Sequence, residues 1–182
     1  MSRMIALTHA ACGVALAVLA SFALGADADG QDCARRYYID PQLTSEEFDE
    51  GGVLGREKYV VHFLPGQHKE KEKGGTLRLG AYQCQLTKGT KAAAAYGSDV
   101  VSERHRHRYE FNNSFKDKLE QAGLIFSGTW AETGLAEIVE VRDHPFMLGT
   151  QYHPEFLSRP HRPHPLFAAF IKAAMMQKNS SV

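Results

Sequence analysis

One hexapeptide of this 182-residue chain indicates both its fold and its chemistry: Gln151-Tyr152-His153-Pro154-Glu155-Phe156. It ends an apolar run that predicts a strand over Phe146–Tyr152. Because strand side chains two residues apart point the same way, His153 and Glu155 are expected on one face. A carboxylate beside an imidazole fixes its tautomer and raises its basicity, as a base that activates a nucleophile requires. Taken alone, the motif is more typical of the polar end of a structural strand, and the catalytic interpretation depends on the motifs described below.

Short strands are predicted before this hexapeptide, and helices are predicted on both sides of it. Strands are predicted at Tyr59–Leu64, Thr76–Leu86, Leu124–Gly128 and Leu135–Val141, and helices at Thr90–Ser98, Asn113–Gly123 and Pro165–Met176. In the last helix Leu166, Phe167, Phe170, Ile171 and Ala174 share one side. In the strand from Thr76, Leu77, Leu79 and Ala81 face one way and Arg78 the other. Hairpins outnumber βαβ units, so we expect an α/β fold with a central mixed sheet flanked by helices.

The composition argues against several classes of partner. Lys plus Arg and Asp plus Glu number 21 each, so no overall field favours nucleic acid, although the basic run at 102–110 could bind phosphate locally. The three cysteines, Cys12, Cys33 and Cys84, do not form a disulfide framework or a CxxC zinc site. A reducing, cytoplasmic location is the simplest expectation.

The first 26 residues leave two interpretations open. Residues 4–26 contain no Asp, Glu, Lys or Arg and end in the small residues Ala23-Leu24-Gly25-Ala26. This pattern is typical of a secretory signal or a membrane anchor, and a membrane partner is expected only in that case. It is also typical of a strand buried on both faces of an α/β core. The predicted organisation is an apolar segment at 1–26, a domain at 27–178 and a tail at 179–182.

Three motifs occur in one order along the chain. They are Gly74-Gly75-Thr76-Leu77-Arg78-Leu79-Gly80, then the run from Ser102 through Arg104-His105-Arg106-His107-Arg108-Tyr109-Glu110 to Asn112, then Gln151–Ser158. Together they resemble the glutaminase domain of CTP synthases, a class I glutamine amidotransferase, over residues 45–175. The resemblance implies a flavodoxin-like fold. It also implies that the fold is incomplete, because the family's first strands and glycine-rich loop have no counterpart here.

The resemblance also implies roles for individual residues. His153 and Glu155 match the histidine and glutamate of the family's Cys-His-Glu triad. Arg108 matches an arginine that binds the carboxylate of glutamine, for which a guanidinium fork is suited. Glu47 matches the acidic residue that holds the ammonium group. Glutamine is therefore the expected ligand.

The chain departs from the family at the nucleophile. Without gaps, Ser21-Phe22-Ala23-Leu24-Gly25 aligns with the Gly-x-Cys-x-Gly elbow, so Ala23 occupies the nucleophile position and Leu24 matches a substrate-binding position. Cys12 and Cys33 are the competing nucleophiles, each in a different register. No cofactor is expected in this chain. ATP and magnesium would belong to a synthetase domain, for which the chain has no phosphate-binding GxxxxGK[ST] loop.

Three hypotheses follow. The chain is a silent glutaminase-like domain, either a pseudoenzyme or a fragment of a CTP synthase. Alternatively, it is an active glutaminase subunit that uses Cys12 or Cys33 and passes ammonia to a separate synthetase. In the third, it is a secreted or anchored binding protein on the same fold.

Overall fold

A computed structural model describes residues 44–45, 58–63, 78–107 and 109–180 of the chain. The strands in chain order are β1 Thr44–Ser45, β2 Tyr59–Phe63, β3 Arg78–Leu86, β4 Val100–His107, β5 Tyr109–Phe111, β6 Leu124–Trp130, β7 Ala136–Val141 and β8 Leu148–Thr150. The helices are α1 Lys91–Tyr96, α2 Lys116–Gln121 and α3 Pro165–Ser180, with 3-10 turns at Asn113–Phe115 and Pro154–Phe156.

The described strands form two sheets. The larger has the order β4-β3-β6-β7-β8 and is antiparallel throughout. The smaller has the order β1-β2-β5, with β1 parallel and β5 antiparallel to β2. The chain crosses from the larger sheet to the smaller between His107, the end of β4, and Tyr109, the start of β5. Mixed pairing and an α/β arrangement are confirmed.

Local sequence signals set the ends of α1 and α2. Thr90 caps α1 by accepting a hydrogen bond from the Ala93 amide at 3.2 Å, and Gly97 ends it in the left-handed region. The predicted cap at Asn113 is wrong by one residue, because Asn112 accepts from the Ser114 amide and a 3-10 turn precedes α2. Gly123, with φ of 100°, ends this unit as predicted.

Two apolar clusters fill the core. The first cluster joins the strands to α1 and α3 and consists of Cys84, Leu86, Ala92, Ile138, Tyr152 and Leu166. The second cluster packs the α2 region on β6 and β7 and consists of Phe111, Phe115, Phe126, Ala136 and Val139. Gly128 permits the first cluster to close, since a Cβ there would lie 2.6 Å from Ile138 Cγ1 and 2.7 Å from Cys84 Sγ. The core therefore requires glycine at this position.

The strand β3 reverses the burial that polarity would suggest. Its alternation is as predicted, but Arg78 is only 3% exposed and Leu79 is 71% exposed. The inner face of β3 accommodates a charged side chain because carboxylate partners for it lie on β5 and β7, as described below. The apolar residue faces solvent on the outer side.

The helix α3 is present but buries little of its predicted apolar side. Leu166 is buried, whereas Phe167, Phe170 and Ile171 are exposed. Most of the apolar side of this helix is therefore exposed in the described part of the chain. Among the described residues, no helix combines the length and apolar character needed to cross a membrane.

Candidate active site

The side chains of His153 and Glu155 are in direct contact. His153 Nδ1 lies 2.6 Å from Glu155 Oε1. The predicted contact is confirmed, but the predicted strand is shorter than expected, because β8 ends at Thr150 and Glu155 lies in the 3-10 turn Pro154–Phe156. Pro154 cannot donate a ladder hydrogen bond and is suited to the first position of a helical turn. The turn, rather than strand alternation, brings the two side chains together.

The contact fixes which nitrogen of His153 carries a proton. A carboxylate only accepts hydrogen bonds, so Nδ1 must donate and Nε2 of the neutral ring is left as an acceptor. Within the described residues Nε2 has no hydrogen-bond partner, and the His153 ring stacks on Phe156 with centroids 5.0 Å apart. His153 is 23% and Glu155 56% exposed. This arrangement can accept a proton from a group placed at Nε2.

Hydrogen bonds to backbone carbonyls attach the His153 segment to β4, β5 and β7. The His153 amide donates to the Arg104 carbonyl at 2.9 Å. The Gln151 side-chain nitrogen donates to the Tyr109 carbonyl at 2.7 Å, and the Gln151 amide donates to the Glu137 carbonyl at 2.8 Å. The segment is therefore connected to the larger sheet and to Tyr109, the first residue of β5 in the smaller sheet.

The basic run at 102–110 has two different faces. Glu103, His105 and His107 point inward and are buried, whereas Arg104 and Arg106 point outward and are exposed. The described residues of this run therefore do not form a uniform phosphate-binding patch. The inward histidines each contact a glutamate, with His105 Nε2 2.6 Å from Glu137 Oε2 and His107 Nε2 2.7 Å from Glu110 Oε1.

Arg78 connects these two histidine–glutamate pairs. It donates to both oxygens of Glu110, at 3.1 and 3.3 Å, and to Glu137. Its guanidinium also lies 4.3 Å from the ring centroid of Trp130 and 4.7 Å from that of Tyr82. A buried charge is tolerated when it is paired and hydrogen-bonded, and contact with the faces of aromatic rings stabilises a buried guanidinium further. The sequence did not predict the network, since its members come from four strands.

Several predicted site residues lie outside the described residues: Ala23, Leu24, Glu47 and Arg108, together with the competing nucleophiles Cys12 and Cys33. Their roles stay predictions. The two chain neighbours of Arg108, His107 and Tyr109, are held by the contacts to Glu110 and Gln151 given above.

Cys84 is the cysteine that the described residues contain, and it is not suited to act as a nucleophile. It is buried in the core beside Ile138. Burial, followed by the negative charges of Glu137 and Glu103, raises the pKa of its thiol to about 12. The thiolate is the reactive form, so this thiol is inert at neutral pH. The described part of the chain also shows no cluster of His, Cys, Asp and Glu able to hold a metal ion.

Comparison with known proteins identifies the family to which the chain is similar. Residues 28–173 match the family described as glutamine amidotransferase class-I. The chain is 46% identical over 151 residues to a CTP synthase of Clostridium kluyveri, covering 82% of this chain and 28% of that protein. It is 60% identical over 116 residues to a CTP synthase of Geobacter metallireducens, covering 64% of this chain and 22% of that protein. The chain thus spans between a fifth and a third of the length of these relatives.

A solved structure shows the same fold. The glutaminase domain of Trypanosoma brucei CTPS with bound acivicin is 33% identical and superposes with a TM-score of 0.65, covering 74% of this chain and 51% of that one. Together with the family match over residues 28–173, this structural similarity shows that the chain belongs to the class I glutamine amidotransferase family.

Proposed function

We propose that this chain provides the histidine–glutamate part of a glutaminase site of the CTP synthase type. The observation that carries the proposal is the 2.6 Å contact between His153 Nδ1 and Glu155 Oε1, which leaves Nε2 available as a base. In such a site a thiolate attacks the side-chain amide of glutamine, and ammonia leaves after taking a proton from the imidazolium. Water then releases glutamate, with the imidazole accepting its proton.

Glutamine recognition in this proposal depends on Arg108 and Glu47. Arg108 binds the α-carboxylate through two parallel hydrogen bonds, and Glu47 pairs with the α-ammonium group. Support comes from the described neighbours of Arg108, because Tyr109 is tied to Gln151, two residues before His153. This tie would bring the carboxylate-binding residue and the base to the same part of the domain.

The ammonia would be consumed by a synthetase domain or subunit that converts UTP to CTP with ATP and magnesium. This part of the proposal rests on the similarity to CTP synthases, which the chain matches over less than a third of their length. The reaction makes chemical sense of a glutaminase site, because amination of a pyrimidine requires a nitrogen donor. Membrane attachment would require residues 4–26 to act as an anchor.

We further propose that the chain binds glutamine without hydrolysing it. The gap-free register places Ala23, which has no thiol, at the nucleophile position, and Cys84 is buried and protonated. Without a nucleophile no acyl-enzyme can form, and binding alone does not lower the barrier. The competing proposal is an active subunit that uses Cys12 or Cys33.

Calorimetric titration of the full chain with glutamine tests the binding site. Weak binding is expected, and Arg108→Ala should abolish it because the carboxylate loses its bidentate partner. Arg142→Ala is the control, since Arg142 is an exposed arginine on the turn after β7. Unchanged binding in the Arg108 variant would show that Arg108 does not recognise the carboxylate.

A further inference from the structure

A second buried cluster lies behind the His153–Glu155 pair and is centred on Glu103. Glu103 is on the inner face of β4 and is almost fully buried. Its Oε1 accepts hydrogen bonds from the Tyr96 hydroxyl at 2.8 Å and from His164 Nε2 at 2.9 Å. Tyr96 ends α1 and His164 directly precedes α3, so one carboxylate connects three elements.

One branch of this cluster leads to the residue before His153. The Tyr152 hydroxyl lies 2.8 Å from the Tyr96 hydroxyl, so Tyr152 is connected to Glu103 through Tyr96. A backbone contact closes the ring, because the His153 amide donates to the carbonyl of Arg104, the residue after Glu103. His153 is therefore held by a backbone hydrogen bond to β4 and, through its neighbour Tyr152, by the path that leads to the Glu103 carboxylate.

The other branch leads to the far end of the same segment. The His164 amide donates a hydrogen bond to the Ser158 hydroxyl at 3.1 Å. This bond closes a loop between Ser158 and His164, directly after the 3-10 turn that carries Glu155. Both ends of the segment from Tyr152 to His164 thus converge on one carboxylate. Between them lie the short 3-10 turn and an isolated bridge between Arg159 and Arg162. The path of this segment therefore depends strongly on its ends.

The hydrogen bonds of the cluster have one consistent direction. Burial raises the pKa of Tyr96 and of Tyr152 well above the ordinary value, so both hydroxyls keep their protons. Tyr96 donates to Glu103, and Tyr152 donates to Tyr96. His164 donates from Nε2 to Glu103, and its Nδ1 accepts from the Leu166 amide at 3.3 Å. Tyr96 and His164 thus each direct a proton at Glu103, and Tyr152 directs one at Tyr96.

We propose that Glu103 is a positioning residue for the His153–Glu155 pair, an inference that rests on the proposed role of this pair in glutamine chemistry. Glu103 does not touch the reacting atoms. It fixes the ends of the segment on which His153 and Glu155 lie, and thereby the orientation in which Nδ1 meets the carboxylate and Nε2 faces outward. Loosening the ends should allow the imidazole to leave Glu155 and adopt the other tautomer.

Long-range ¹H–¹⁵N spectra of the labelled full chain test this directly, because they report the tautomer of each histidine. In the unmodified protein His153 should be protonated at Nδ1. In Glu103→Gln, which keeps the size but removes the charge and one acceptor oxygen, that tautomer should cease to predominate. Tyr96→Phe deletes the hydroxyl that bridges Tyr152 to Glu103, and it should produce a smaller shift in the same direction.

A matched control separates positioning from general loss of stability. Val139→Ala removes buried volume from the other apolar cluster, away from Glu103, and should leave the His153 tautomer unchanged. If Glu103→Gln and Tyr96→Phe also leave it unchanged, the positioning role is wrong; should the first variant not fold, Tyr96→Phe decides. The spectra are recorded without glutamine, so they test the positioning role independently of glutamine binding. A failure to bind glutamine in the calorimetric titration would count against the proposed function and not against the positioning role.

Discussion

The strand β4 and the helix α3 differ in the kind of side chain that each one buries. β4 directs Glu103, His105 and His107 into the protein, whereas α3 leaves Phe170 and Ile171 exposed. On both elements the repeat of the sequence indicates which residues share a face. Which of the two faces is buried depends on the side chains of the neighbouring elements. The inner face of β4 meets complementary charges, whereas α3 packs on the core mainly through Leu166. Side-chain polarity alone would assign both faces incorrectly.

The largest expected effect is on the charges opposite β4. In Arg78→Met the buried Glu110 and Glu137 lose their common partner, and unfolding free energy should fall by roughly 3–5 kcal/mol. Urea denaturation monitored by Trp130 fluorescence measures the change. The exposed control Arg142→Ala should stay within about 0.5 kcal/mol of the unmodified protein. A loss below about 1 kcal/mol in Arg78→Met would mean that the network contributes little, as exposed pairs do.

Two substitutions on α3, one at a buried and one at an exposed position, test how this helix packs. Leu166→Ala removes a side chain that is 4% exposed and should cost roughly 2–5 kcal/mol. Ile171→Ser, at a position 56% exposed, should change stability by less than about 0.5 kcal/mol. The same denaturation measurement applies to both. Comparable losses would show that the exposed side of α3 is covered in solution.

The smallest expected effect concerns the thiol on the inner side of β3. At pH 8 Cys84 should not react with iodoacetamide in the native protein, because its pKa of about 12 leaves almost no thiolate and it is buried. Peptide mapping by mass spectrometry distinguishes it from Cys12 and Cys33. In urea Cys84 should be modified fully. Rapid native labelling at Cys84 would contradict the core placement.

The sequence allowed the pairing of His153 with Glu155 to be predicted, but for an incomplete reason. Their spacing of two is compatible with a strand and with the 3-10 turn that Pro154 starts, and both bring the side chains together. The caps Thr90 and Gly97 were predictable because capping depends on a few neighbouring residues. Local patterns also predicted β2, β3, β6, β7, β8 and the last helix, whereas no strand was predicted where β1, β4 and β5 lie.

The Arg78 network could not be predicted because its contacts are long-range. Arg78, His105, Glu110 and Glu137 come from four strands, and local alternation does not reveal which strands become neighbours. A useful signal was present in the alternation of Arg and His over 104–107, which separates two faces of one strand. The same limit applies to Glu103, whose partners Tyr96 and His164 lie at the end of α1 and directly before α3.

Glutamate release from glutamine by the purified full chain tests the central claim most directly. We predict no release above background, because the position that aligns with the nucleophile is Ala23 and a triad without its nucleophile loses nearly all of its rate advantage. The assay should include Cys12→Ala and Cys33→Ala variants and a sample treated with iodoacetamide. Turnover that disappears on alkylation, or in one of the two variants, would contradict the claim and identify the residue that acts as nucleophile.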